Sequence, residues 1–557
     1  MKTLAPRRAA SLVAALAVSV PLLAALTTAP TSLIASAAAA PAAAPAARTP
    51  AAAREVPTIR WRSCRGFDCG RVDVPLDHDR PDGATLTLAL RRVPARKPAR
   101  RLGAVFVNPG GPGGSAAAFA PWAADLLGRR VTNRLDVIGI DPRGVGGSSH
   151  LTCRGRSDTA YPSVGFPDTR RQVRDWLAFD TTVQRLCDRR IADHMSTADT
   201  ARDMDLVRQA LGDEQASFFG ASYGSVLGAT WVSMFPGTVR AAVVDSVLDP
   251  VAWTTGRDLP DGTPGSSLPI SARLGSEVGS RDALEAGLAE CDDAGRRACR
   301  LAGGALGRWD AVAARLRSDR AAARRVGLSY SDFVGTTLGM LYGGDLWYIA
   351  EFAFQAEKQL SRLAGRPTSG EPAVPDGTLG RTVREVRAEL ARSPYPGPYA
   401  AVAGRGRQQR LWFDGSTHGV MCSDSLNPTG TAAWSEAAER TRAAGGADFG
   451  PSWTWLSSAC SAWPGSGEDA YRGPFTMPDA ERLLIVSNRH DPATPLSGAL
   501  ALQQLMPGSR LVTTGDTGHV ATGSNRCATE VVRDVLRTAE SPAEDVVCAR
   551  EREPFTP

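Results

Sequence analysis

A chain of 557 residues, 43% hydrophobic and 22% charged, can bury a large core or build more than one unit, and lies away from the compositions of disordered or multi-span membrane chains. The formal charge of +6 is small for this length and the arginines are spread along the chain, which excludes the basic stripe that nucleic-acid binding needs.

Lys2, Arg7 and Arg8 precede an uncharged run from Ala9 to Leu26, and Ala35 and Ala37 are small residues suited to signal peptidase. Residues 1–37 read as an export signal, so a secreted, extracellular protein is expected. Pro21 and the abundant alanine argue against a membrane anchor, and no stable membrane insertion is expected after signal removal. Residues 38–54 are Ala/Pro-rich and read as a disordered tether or propeptide.

From Gly70 onward the chain alternates strand and helix patterns. "RVDVPL" and "ATLTLALRRV" around "DHDRPDG" predict an antiparallel hairpin. "GAVFVNPGGPGG" and "LDVIGIDPRGVGGSS" each read as a buried strand running into glycines. "TARDMDLVRQALG" predicts an amphipathic helix with Thr200 as N-cap, Asp203 at N3 and Gly212 as terminator. "ASFFG", "VRAAVVDSV", "ERLLIVSN" and "SRLVTT" complete a set of short buried strands, with helical "SGALALQQLM" between the last two. Such alternation predicts an α/β fold with a mostly parallel central sheet covered on both faces. The rhythm breaks at residues 251–474, which turn helical and irregular and read as a large, mainly helical cap insertion. Residues 55–250 and 475–557 are then the two parts of the core.

The ten cysteines suit an oxidising compartment. Paired in sequential order they give Cys64–Cys69, Cys153–Cys187, Cys291–Cys299, Cys422–Cys460 and Cys527–Cys548, although spacing does not fix connectivity. No two cysteines stand in C-x-x-C spacing and no histidine accompanies them, so no metal site is expected.

"GASYG", Gly220 to Gly224, follows the apolar strand pattern and opens a helical one. A strand that turns sharply into a helix with serine at the apex needs small flanking residues, and that context makes Ser222 a nucleophile candidate. A serine hydroxyl needs a base, and the base an orienting acid. Of six histidines, His519 in "TGDTGHVA" alone follows the last core strand, where the α/β-hydrolase order serine, acid, histidine places the base. Asp491, closing "LLIVSNRHD", is the acid candidate, with Asp245 as the alternative; Asp516 is too close in sequence to His519. Backbone N–H groups of Tyr223 and of Gly111, with Gly110 as a further candidate, would form an oxyanion hole. The same glycine loop lacks the lysine and spacing of a phosphate cradle.

In that order, "NPGGPGGS", "DVIGIDPRGVGGSS", "FFGASYGSVLGATW", "NRHDPATP" and "TGHV" resemble the secreted tripeptidyl aminopeptidases, relatives of the proline iminopeptidases in the α/β-hydrolase superfamily. The resemblance runs from about Trp61 to Cys548. It implies an exported, metal-free serine aminopeptidase, without cofactor, that removes short peptides, commonly tripeptides, from free N-termini through an acyl-enzyme. Ser222, Asp491 and His519 correspond by motif to the triad, with Gly111 and Tyr223 as oxyanion donors. Pro109 stands where the iminopeptidase form of the loop has histidine. Recognition of the substrate's ammonium calls for cap carboxylates, with Asp424, Glu351 and Asp345 as candidates. A monomer acting on peptides is expected; an esterase or lipase with the same triad, or an inactive hydrolase-like binding protein, are the alternatives.

Overall fold

The computed structural model describes residues 56–156, 165–364, 377–390, 410–446 and 448–556. The expected signal (1–37) and tether (38–54) lie outside the described residues.

A ten-stranded sheet organises the chain: β1 (Arg60–Cys64), β2 (Phe67–Pro75), β3 (Thr85–Val93), β4 (Gly103–Asn108), β5 (Leu135–Ile140), β6 (Ala216–Ala221), β7 (Val239–Asp245), β8 (Leu483–His490), β9 (Arg510–Thr517) and β10 (Val546–Cys548). Their spatial order is β1-β2-β3-β5-β4-β6-β7-β8-β9-β10. The first three strands are antiparallel, β3 pairs antiparallel with β5, and every pairing from β5 to β10 is parallel.

Side-chain alternation explains why the central strands read as unbroken apolar runs. Val105 and Val107 of β4 face a core layer completed by α1 (Ala116–Thr132) and by the C-terminal helix Arg526–Thr538, whereas Ala104 and Phe106 face the opposite layer. That second layer includes α2 (Thr197–Ala210) and α3 (Tyr223–Met234). Both faces are covered, so neither can be polar. The order reverses around β4, from which the chain passes first to β5 on one side and later to β6 on the other. Such a switch opens a crevice beyond the carboxyl ends of the strands.

Between β7 and β8 the described chain is mostly helical. It includes α4 (Ser276–Ala298) and α5 (Ser416–Asp424). It also contributes one strand outside the main sheet, Arg410–Asp414, which pairs antiparallel with Thr152–Arg156. All ten cysteines are paired, as Cys64–Cys69, Cys153–Cys187, Cys291–Cys299, Cys422–Cys460 and Cys527–Cys548. No described helix is long and apolar enough to cross a membrane.

One local expectation is corrected. Helix α2 starts a turn earlier than Thr200: its N-cap is Ser196, whose hydroxyl accepts from the Asp199 amide and donates to the Asp199 carboxylate. Both Ser196/Asp199 and Thr200/Asp203 satisfy the capping pattern, and tertiary structure decides between them. Asp203 is taken by Arg143, whose fully buried guanidinium donates to both its carboxylate oxygens at 2.8 and 2.9 Å and to the carbonyls of Pro75, Leu76 and His194. The β2–β3 hairpin is thereby tied to α2. Burial alone would raise the Asp203 carboxyl, but Arg143 and His78 hold it below the ordinary carboxylate range. Asp203→Ala leaves a buried cation unpaired and is expected to cost about 3–5 kcal/mol of stability. Urea unfolding of the variant beside the wild-type protein measures it; an unchanged midpoint would show that the pair is dispensable.

Candidate active site

The loops beyond the carboxyl ends of β4, β6, β8 and β9 carry the candidate groups. Ser222 sits between β6 and α3 with φ 59° and ψ −126°, a conformation L-residues rarely hold. Its two glycine neighbours are sterically required. A Cβ at Gly220 would stand 2.4 Å from the Gly224 carbonyl oxygen, and one at Gly224 would stand 2.9 Å from that of Asn108. The Ser222 amide donates to the Asp245 carbonyl, fastening the turn to the end of β7.

The glycine loop after β4 lies directly against this turn. At Gly110 (φ 88°) a Cβ would stand 2.4 Å from the Ala221 carbonyl oxygen and 2.9 Å from both Ser222 Cβ and the Tyr223 amide nitrogen. The Gly110 amide already donates to Asn108 Oδ1, at 2.8 Å. Of the two glycines, that engagement favours Gly111 as a donor toward a substrate.

His519 and Asp491 come together across the ends of β9 and β8. Nδ1 of His519 is 3.0 Å from both carboxylate oxygens of Asp491. The Asp491 side chain is buried and also accepts from the amides of Ala493 and Thr494, the Thr494 hydroxyl and the Ser246 hydroxyl. Burial pushes this carboxyl upward, but His519 and these donors outweigh it and hold it below the usual range. The imidazole is further held by its own amide, which donates to the Tyr342 carbonyl, and by the Tyr342 ring edge-on at 5.0 Å.

The other acids weighed from sequence serve the scaffold. Asp245, the alternative acid, accepts from the amides of Ala521 and Thr522 at 3.1 and 2.7 Å, so it holds the loop that carries His519. Asp516 accepts from Asn525 and from the amides of Glu551 and Arg552.

Among the candidate ammonium anchors, Asp424 departs from expectation. It is 2% exposed, and its carboxylate accepts from the Thr197 amide, the Thr197 hydroxyl and the Trp253 indole. Three donors leave this carboxylate committed within the protein. Burial pushes it up to about 6. Glu351 is paired with Arg300 and also accepts from Gln355. Asp345 is exposed just before the helix Leu346–Leu363.

Two relevant residues escaped the sequence reading. Ser246 (φ 57°) donates to Asp491 and accepts from the amide of Val520 (φ 74°), bridging the acid to the residue after His519. Its neighbour Asp245 was legible as a strand-end acid, but a lone serine carries no pattern. Glu277, in the first turn of α4, is 5% exposed with no partner at Oε2, and burial pushes it up to about 7. The adjacent Ser276 and Ser280 donate to the carbonyls of Ala493 and Pro492, so this turn of the insertion rests on the Asp491 loop. Among the described residues one group has metal-ligand proximity, Asp77, His194 and Asp469, with Arg80 already paired to Asp77.

Comparison with known proteins places the chain among the α/β-hydrolases. The family profile described as "alpha/beta hydrolase fold" matches residues 103–264, and the one described as "TAP-like protein" matches residues 446–548. Tripeptidyl aminopeptidase of Streptomyces lividans is 29% identical over 540 residues, covering 90% of this chain and 88% of its own. Serine protease Hip1 of Mycobacterium tuberculosis is 28% identical, covering 88% of this chain and 91% of its own. A Mycobacterium tuberculosis protein named carboxylesterase B is 31% identical, covering 90% and 92%. With the switch-point sheet, the serine turn and both family profiles in one chain, this protein belongs to the tripeptidyl aminopeptidase family of α/β-hydrolases and is a serine hydrolase.

Proposed function

We propose that this protein is an exported serine aminopeptidase that releases short peptides, tripeptides above all, from free N-termini. The observation that carries the reading is the His519 Nδ1 contact to both oxygens of Asp491, at the strand ends next to the strained Ser222 turn. Five disulfides support an oxidising compartment.

In this reading Ser222 Oγ attacks the scissile carbonyl carbon while its proton passes to His519 Nε2. The carbonyl electron pair moves to oxygen, where the amides of Tyr223 and Gly111 donate to the resulting oxyanion. Collapse of the intermediate breaks the C–N bond, and His519 returns the proton to the leaving amine. Water then repeats the sequence on the acyl-enzyme, releasing the short peptide and restoring Ser222. Asp491, ionised throughout, fixes the imidazole tautomer and stabilises the imidazolium.

A buried ammonium needs a carboxylate with free lone pairs. Asp424 already accepts three hydrogen bonds from the protein, whereas Glu277 retains an unpartnered oxygen in the turn that rests on the Asp491 loop. We assign the substrate ammonium to Glu277. The carboxylesterase name of one relative makes acyl esters the second reading.

Hydrolysis of free-amine mono-, di- and tripeptide amides, an N-acetylated tripeptide amide and a short acyl ester tests the function directly. Cleavage of the free tripeptide above the others is expected, and Ser222→Ala is expected to lower it about 10⁶-fold, as loss of a triad serine does. Ester cleavage with every peptide left intact would overturn the peptidase reading and retain only the hydrolase machinery.

Glu277→Gln is expected to raise KM for the free-amine tripeptide roughly tenfold to hundredfold, the worth of a charge-assisted hydrogen bond. Labelling of Ser222 by a small fluorophosphonate is expected to be unaffected. Because the Glu277 carboxylate is lost as pH falls through about 7, wild-type KM is expected to rise on the acid side of that value and to stay flatter in the variant. Equal KM–pH curves for the two proteins would place the ammonium elsewhere.

A further inference from the structure

Helix α5 touches the segments on both sides of the proposed oxyanion hole. At its N-terminal end the Thr417 hydroxyl donates to the Pro112 carbonyl at 2.8 Å. The glycine loop comes so close there that a Cβ on Gly113 would stand 2.7 Å from Ser416 Oγ and 2.8 Å from Thr417 Oγ1. Pro112 directly follows Gly111. At the other end of the helix, Asp424 accepts from the amide and the hydroxyl of Thr197, the first residue of α2, at 2.7 and 2.5 Å. Since the Thr197 hydroxyl proton goes to Asp424, its oxygen accepts from the Tyr223 hydroxyl at 2.6 Å. The Trp253 indole donates to the same carboxylate while its ring packs on Tyr223 at 5.4 Å.

We propose that α5 sets the spacing between the two oxyanion donors, with Thr417 and Asp424 as positioning residues: Thr417 holds the Gly111–Gly113 loop, and Asp424 holds Tyr223 through Thr197. The inference rests on the assignment of the Gly111 and Tyr223 amides as oxyanion donors.

The helix is suited to this task because it is itself fixed. Cys422 is joined to Cys460, and Gly419 lies against Met195 and Leu151, where a Cβ would stand 2.7 Å from Met195 Cε. The Tyr223 side chain is 2% exposed, and burial raises its phenol well above its ordinary value, so the hydroxyl remains a donor across the working pH range. Each link is a buried or half-buried hydrogen bond with a single geometry, so displacement of α5 moves the Tyr223 and Gly111 sides together.

Two readouts separate donor placement from ordinary stabilisation. The first is the split between kcat and KM for a free-amine tripeptide amide. The second is the inhibition constant of a tripeptide aldehyde, whose hemiacetal adduct with Ser222 places an oxygen in the hole, against that of the product tripeptide, which forms no adduct. For Thr417→Val and for Asp424→Asn, kcat is expected to fall roughly tenfold to hundredfold, less than the 10²–10³ of losing a donor outright. KM should stay within about twofold, aldehyde inhibition should weaken by the same factor as kcat, and tripeptide inhibition should not change. Thr417→Ser, which keeps the hydroxyl, should recover most of the loss. If Asp424→Asn does not accumulate as folded protein, Thr417→Val carries the test alone. Unchanged kcat in Thr417→Val, or equal weakening of aldehyde and tripeptide, would overturn the positioning role. Failure of the aldehyde to inhibit a wild-type protein that cleaves the free-amine tripeptide amide would instead overturn the oxyanion-hole assignment itself, whereas failure together with an uncleaved amide would overturn the peptidase reading.

Discussion

The backbone after β4 passes the Ser222 turn at atomic contact, and the chemistry of the site depends on that approach. Strands β4 and β6 are neighbours, with Asn108 opposite Gly220, so the two loops leave the sheet at the same level. Three positions without side chains then let main chain meet main chain: Gly220 and Gly224 inside the turn, and Gly110 across from it. A methyl group at any of them would overlap a backbone atom or the serine itself. The benefit is electrostatic. In the proposed mechanism the amides of Tyr223 and Gly111, which follow the ends of two neighbouring strands, are oriented before a substrate arrives. The parallel sheet, buried on both faces, is the rigid body that makes such an approach reproducible.

Strain around the site follows from the same geometry. Among the described residues, the non-glycine positions with positive φ include Ser222, Ser246 and Val520, which lie within one connected network. Ser246 accepts from the Val520 amide and donates to Asp491, while Ser222 donates its amide to the Asp245 carbonyl. Asp245 in turn accepts from Ala521 and Thr522. Each strained residue costs about 1–3 kcal/mol and persists only where its surroundings overdetermine it. Here the surroundings are buried hydrogen bonds among β7, the Asp491 loop and the His519 loop. The strain and the bonds together fix how the three loops face one another.

Much of this was legible in the sequence because it rests on local patterns. The core strands appear as apolar runs, the serine turn as paired glycines, and the acid and base loops as strand ends rich in Gly, Asp and His. What escaped is what tertiary contact decides. Two equivalent capping patterns overlap at the start of α2, and Asp203 is withdrawn from capping only because Arg143 lies across from it. The edge strands β1 and β10 are too short to show alternation, being defined by the turn at Cys64–Cys69 and by pairing to β9. Ser246 reads as an ordinary small residue until β8 and the His519 loop close over it.

The acids of the insertion separate along the same line, between groups the fold has satisfied and groups it has not. From the sequence Asp424 stands among the candidate cap carboxylates and Glu277 does not. In the structure Asp424 receives three donors from α2 and Trp253, while Glu277 is equally buried and keeps an oxygen without a partner. A buried carboxylate held by three internal donors does structural work, since an incoming cation would compete with those bonds and leave donors unpaired. One left incomplete gains by receiving a cation from outside. On that ground we assign the two acids different tasks in the proposed mechanism: Asp424 as a brace for the loops of the proposed oxyanion hole, and Glu277 as the receiver of the substrate ammonium.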